Sequence, residues 1–166
     1  MEKINYLKED KKRYSNGRVP YFQYAFRKAQ STKIYPFKIF YLILLRIFRR
    51  INCVELPAGL KVGAGLYFGH PYCITINPKV VIGNHVNIHK GVSIGQENRG
   101  KREGVPVIGN NVWIGMNATI VGKVCIGDDV LIAPNSFVNC DVPSHSIVLG
   151  NPCIIKHSES ATYGYL

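Results

Sequence analysis

Between Val62 and Val138 an apolar residue returns at nearly every sixth position, usually with glycine behind it. Val62-Gly63, Phe68-Gly69, Ile82-Gly83, Ile94-Gly95, Ile108-Gly109, Ile114-Gly115 and Ile126-Gly127 carry the full pair, and Ile74, Ile88, Ile120, Ile132 and Val138 keep the phase without glycine. This period fits neither an amphipathic helix nor an alternating strand. It predicts a parallel β-helix of hexapeptide repeats, in which three short strands make one triangular coil and each sends an apolar side chain inward. Small or β-branched residues two places earlier (Val112, Ala118, Val124, Val130, Ser136) supply a second inward or corner position. Gly109-Asn110-Asn111 and Gly127-Asp128-Asp129 suit the left-handed backbone of sharp corners. The expected fold class is all-β with a helical segment in front. Because side chains fill such a prism, chemistry is confined to its outer walls or to contacts between subunits.

The phase breaks twice. Two extra residues intrude between Ile74 and Ile82, around Asn77-Pro78-Lys79, and the step from Ile94 to Ile108 is fourteen where two hexads would give twelve. The second break predicts an excursion loop at 96–107, polar and glycine-bearing, on a binding face. The expected organisation is therefore a basic, helical segment at 1–52, a repeat domain at 53–156 and a tail at 157–166.

Charge is uneven along the chain. Residues 1–50 hold thirteen Lys/Arg against three Asp/Glu, whereas residues 51–166 are close to neutral with eight against seven. No zinc-finger spacing or aromatic RNA-binding signature accompanies the charge, so nucleic acid is not an expected partner. A helix is predicted within 21–35, best over Tyr21 to Gln30, and another from Pro36 to Arg50. The uncharged run from Ile39 to Leu45 is seven residues, far short of the roughly twenty needed to span a bilayer. The 36–50 helix either packs on the end of the prism or on a neighbouring subunit, or it makes a peripheral contact with an anionic membrane surface. No secretory signal is evident, and the five cysteines (Cys53, Cys73, Cys125, Cys140, Cys153) follow no metal-binding spacing. They read as buried free thiols in a reducing cytoplasm, with no metal ligands among them.

The repeat, together with Asn111-Val112-Trp113-Ile114-Gly115 and the closing Leu149-Gly150-Asn151-Pro152-Cys153, resembles the hexapeptide-repeat acetyltransferases. The similarity covers about residues 50–155 and is nearest to the serine acetyltransferases and the capsule-sugar O-acetyltransferases. It implies a left-handed parallel β-helix, a homotrimer with active sites between subunits, and acetyl-CoA as cosubstrate. Of five histidines, His70 in Phe68-Gly69-His70-Pro71 matches the catalytic base of the serine enzymes. Their partner carboxylate, fifteen residues earlier, falls on Glu55, while His89 is the rival base. Imidazole titrates near neutrality, so it can take a hydroxyl proton and pass it to a departing thiolate. The carboxylate would hold the ring and stabilise its charged form. The resemblance also places Trp113, Ala133, Ser136 and Asn151 along the coenzyme, with Lys123 or Lys156 at its phosphates. His70, His85 and His89 superficially resemble the zinc ligands of β-helix carbonic anhydrases, but their spacing departs from that pattern.

The expected acceptor is a saccharide hydroxyl in surface or capsular polysaccharide synthesis, with serine O-acetylation as the alternative. The serine enzymes carry aspartate before the catalytic histidine and Asp-Arg-His-Pro in the excursion loop. The matching residues here are Gly69 and Glu103-Gly104-Val105-Pro106, and the helical segment in front of the repeat is shorter than theirs. A free amino acid needs partners for both its charges, whereas Gln96, Asn98, Arg99 and Arg102 suit hydroxyl or acidic-sugar contacts.

Overall fold

The hexad period closes into a triangular prism of parallel strands in the computed structural model, which describes residues 4–166. Wall A stacks Val54–Glu55, Ile74–Ile76, Ser93–Gly95, Thr119–Val121 and Phe137–Val138. Wall B stacks Lys61–Val62, Val81–Ile82, Val107–Ile108 and Cys125–Ile126. Wall C stacks Tyr67–Gly69, Asn87–His89, Val112–Ile114, Val130–Ile132 and Ser146–Leu149, and ends on the antiparallel strand Ile154–His157. Registers keep repeat positions in line: Phe68, Ile88, Ile114, Ile132 and Val148 form one inward row. Nearly all the repeat aliphatics are buried, as are Val112, Ala118, Val124, Val130 and Ser136 two places earlier. Val62, in the first coil, is only half-buried.

The corners explain the polar residues behind each aliphatic. His85, Asn111, Asp129 and His145 all have positive φ and line the edge between walls B and C. One residue earlier on the same edge, Asn84 Nδ2 donates to Asn110 Oδ1 (3.0 Å) and Asn110 Nδ2 to Asp128 Oδ1 (3.1 Å), tying successive coils. Gly91 is needed for two reasons: φ is +74°, and a Cβ there would collide with Asn117 of the next coil.

Three helices precede the prism: α1 (Tyr6–Lys12), α2 (Tyr21–Ser31) and α3 (Tyr35–Asn52). Helix α1 was not legible in the sequence, where 1–20 reads only as polar and basic. Its Asp10 is fully buried and accepts from Arg27 Nε (2.7 Å), Gln23 Nε2 (3.0 Å) and the Leu66 amide (2.9 Å). Arg27 also donates to the carbonyls of Val62 and Gly63, and Gln23 to that of Leu66. Tyr14 donates to Gln23 Oε1 and accepts from the Phe68 amide; burial pushes its hydroxyl well above the usual range, so it stays protonated and able to donate. Side chains thus satisfy backbone groups of the first coil that have no preceding coil to pair with. Phe22, Ala25 and Phe26 close the apolar end, with Phe22 edge-on to Phe68. Helix α3 contributes Leu45, Leu44 and Phe48 to the core, and its opposite face is exposed.

At the other end, Asp129 holds the 157–166 tail by accepting from Ala161 N, Thr162 N and Thr162 Oγ1. Partial burial works against its charge, but bonds from Thr162, His145 and Ala161 outweigh this and keep the carboxyl below its ordinary range. The cysteines depart from expectation. Cys53, Cys73 and Cys125 are exposed and Cys140 and Cys153 half-buried, because the inward positions are already taken by the repeat aliphatics. Among the described residues, no helix is long and apolar enough to cross a membrane.

Asp10→Ala leaves the Arg27 guanidinium buried without its counter-ion. The expected loss is about 3–5 kcal/mol in urea unfolding, the usual scale for breaking a buried pair from one side.

Candidate active site

The edge where wall C turns into wall A gathers most of the residues singled out in the sequence. His70 sits at the first turn of this edge, exposed, with φ +52°. Ala133 and Ser136 lie in a later turn of the edge and Asn151 in the last. Four strand steps separate the coil of His70 from that of Asn151, or about 19 Å along the edge at β-strand spacing. Ser136 is buried and its hydroxyl is engaged locally, accepting from Gly150 N (3.0 Å). Lys156, on the terminal strand of wall C, and Lys123, on the edge between walls A and B, are exposed.

Glu55 is exposed on the first strand of wall A, opposite Thr75. His70 opens the corner that leads into Ile74–Ile76, the strand paired with Val54–Glu55, so the two residues flank one edge. Among the described residues no hydrogen bond joins them.

His89 lies one coil further along wall C, level with Gly69. Its ring packs 4.7 Å from Trp113 and 6.5 Å from Tyr67, centroid to centroid. Nε2 is shut off from solvent and has no hydrogen-bond partner among the described residues. Burial, and then the nearby His70, push the His89 imidazolium below its ordinary range, so the ring is held neutral. Trp113 in turn meets Tyr165 of the tail at 5.0 Å. Asn87 ties both chain ends to this wall, accepting from Arg13 and donating to the Tyr165 carbonyl. Nothing in the repeat signals Arg13 or Tyr165, because both reach the wall from more than seventy positions away in the chain.

The excursion loop is on a different edge, between walls A and B. It folds back on itself through paired bonds between Glu97 and Gly104, and Lys123 N donates to the Arg102 carbonyl beneath it. Gln96, Asn98 and Arg99 line a 360 Å³ hollow with Phe137 and Asn139, and Gln96 Nε2 donates to Asn98 Oδ1 (2.7 Å). Arg102 stands apart from the hollow, with its Nε 3.6 Å from Glu97. One subunit therefore carries the histidine edge and the loop on separate edges of the prism. Among the described residues no group of three or more His, Cys, Asp or Glu is arranged to hold a metal ion.

Comparison with known proteins places this geometry. The bacterial transferase hexapeptide family (six repeats) matches residues 106–140. The serine acetyltransferase of Helicobacter pylori is 36% identical over 108 residues, 65% of this chain and 63% of that protein. The crystal structure of serine acetyltransferase from Brucella abortus aligns with a TM-score of 0.77 at 25% identity, covering 94% of this chain and 69% of that one. A serine acetyltransferase in complex with CoA aligns with a TM-score of 0.67 at 27% identity, covering 81% and 55%. The chain spans less than two thirds of the length of the curated relatives it matches. The resemblance to hexapeptide-repeat acetyltransferases holds, and the fold is that of the left-handed β-helix enzymes.

The expectation of a saccharide acceptor, and with it polysaccharide synthesis, is overturned: the relatives and the solved neighbours alike are serine acetyltransferases. Gly69 shows where that reading went astray. A Cβ at residue 69 would collide with Cε1 and Nδ1 of His89. The glycine is thus accounted for by the packing of the neighbouring coil, and its presence says nothing about the acceptor.

Gly69→Ala should cost about 1–3 kcal/mol by overpacking, and much of that should return in the Gly69→Ala/His89→Ala double variant, as read by thermal unfolding. His89 also gives the fold an acid sensitivity. Its folded value lies below the 6.5 of an unfolded histidine, so the unfolded chain takes up the proton first. Stability from this residue is complete above pH 6.5 and falls as pH drops from there through the lower folded value. The melting temperature of His89→Gln should therefore decline less on acidification than that of the parent.

Proposed function

We propose that this chain is a serine O-acetyltransferase that moves the acetyl group of acetyl-CoA onto the hydroxyl of L-serine, working as a homotrimer with its sites between subunits. The observation that carries the proposal is the run of serine acetyltransferases among its relatives, the Helicobacter pylori protein at 36% identity. The trimer is supported by the separation of the histidine edge from the excursion loop within one subunit. A closed three-fold ring can set the loop of one copy against the histidine edge of the next.

In this reading His70 is the general base. It is exposed on the edge, whereas its rival His89 is half-buried beside Trp113 and Tyr67 with Nε2 shut off from solvent. His70 takes the serine hydroxyl proton as that oxygen attacks the thioester carbonyl carbon. When the C–S bond breaks, the proton passes from the imidazolium to the departing thiolate, leaving O-acetylserine and coenzyme A. Glu55, beside the same edge, orients the ring and stabilises its charged form once serine draws the two together. His89 acts through packing and stays neutral, which avoids a second positive charge beside His70. The roughly 19 Å of edge beyond His70 offers a track for the extended arm of the coenzyme, past Ala133 and Ser136 to Asn151. Trp113 backs this track, and Lys156 or Lys123 meets the phosphates. Arg99, beside Gln96 and Asn98, supplies the guanidinium that a serine carboxylate requires, while Arg102 stands outside the hollow and is held towards Glu97. The missing Arg-His of the loop motif then leaves the acceptor with a cationic partner all the same.

His70→Ala is expected to lower turnover by about 10²–10⁴-fold with the oligomer intact, the scale of losing a general base. Near-normal turnover in that variant would instead put the base at His89. Coenzyme A release should be rapid with L-serine and no faster with sugars than without acceptor; absence of turnover with L-serine removes the proposal.

A further inference from the structure

Helix α3 has one broad apolar arc, and the prism covers only part of it. Leu44, Leu45 and Phe48 pack inward against the core. Beside them, on the flank of the helix that the prism leaves uncovered, Phe40, Ile43, Ile47 and Ile51, spaced as neighbours on a helix, are 53%, 53%, 48% and 67% exposed. A contiguous exposed apolar stripe of this kind marks a surface that docks on something. Arg46 and Arg50 flank this stripe, and both are exposed. No Asp or Glu occurs between Asp10 and Glu55, so neither α2 nor α3 carries a carboxylate to balance them.

We propose that the outward face of α3 docks on an anionic lipid surface, with Phe40, Ile43, Ile47 and Ile51 entering the headgroup–acyl boundary and Arg46 and Arg50 meeting lipid phosphates. Charge decides between this occupant and a second copy of the chain. Packing α3 on the α3 of a copy would bring four arginines around one seam with no acid from either helix nearby. An anionic surface removes that repulsion and adds attraction for each cation. The helix lies on the bilayer, as its length and charge require, since it cannot cross one.

The test uses the full chain with sedimenting vesicles of phosphatidylcholine alone, or of phosphatidylcholine and phosphatidylglycerol in equal parts, with particle size followed by light scattering. The protein should partition onto the mixed vesicles, bind pure phosphatidylcholine far more weakly, and be released by high salt. Arg46→Glu/Arg50→Glu should reduce partitioning at least about tenfold, and Ile43→Ser/Ile47→Ser should also reduce it, both without altering particle size. Equal binding to the two vesicle types overturns the proposal, as does no binding to either. So does a larger particle that the isoleucine substitutions break down, because the face is then covered by another copy. None of these outcomes depends on the acetyl acceptor.

Discussion

Each coil of this protein satisfies its backbone through the next one, and that requirement shapes the whole chain. Parallel stacking in register leaves every strand dependent on neighbours about twenty residues away, so the two ends of the stack are its exposed points. The ends are closed differently. At the start, Asp10, Arg27, Gln23 and Tyr14 hand side-chain donors and acceptors to the first coil. At the finish, Ile154–His157 turns antiparallel and ends the stack, while Asp129 gathers the tail across the wall. The basic, helical front is thus a structural cap whose buried ion pair faces the prism and whose unpaired cations face outward.

Along the edge between walls C and A that regularity becomes close side-chain spacing. A coil advances by only one strand spacing, so residues far apart in sequence line up at short intervals along an edge. His70, His89 and the turn at Gly150-Asn151 are set out in this way. The same closeness makes neighbouring positions interdependent: a side chain at 69 would displace the ring of His89. Comparing one position at a time with a family pattern hides such coupling, and the apparent loss of an acidic residue was misread as a change of acceptor. The excursion loop and the histidine edge also belong to different edges of one prism, so the fold of a single chain does not bring them together.

The inward row, the polar corners and the excursion loop were legible because each obeys a local rule with a short period. An aliphatic every sixth residue must face a narrow interior, Asn and Asp tolerate left-handed corners, and a break in phase must leave the wall. His70 and Glu55 were legible as candidates only through resemblance, since no periodicity marks a base. Of the cap, helices α2 and α3 were legible, but α1 and the polar contacts that seat it were not. Asp10, Arg13 and Tyr14 look like ordinary members of a basic run until the fold sets them against residues 62–68 and Asn87.

The sequence by itself therefore determined the prism, its corners and the position of its loop, because these follow from contacts repeated at fixed separation. Tertiary structure alone decided which polar residues are buried, why residue 69 has no side chain, which histidine faces the edge and which face of α3 stays bare. Those outcomes come from single contacts between segments tens of residues apart, and a non-repeating contact leaves no period to read.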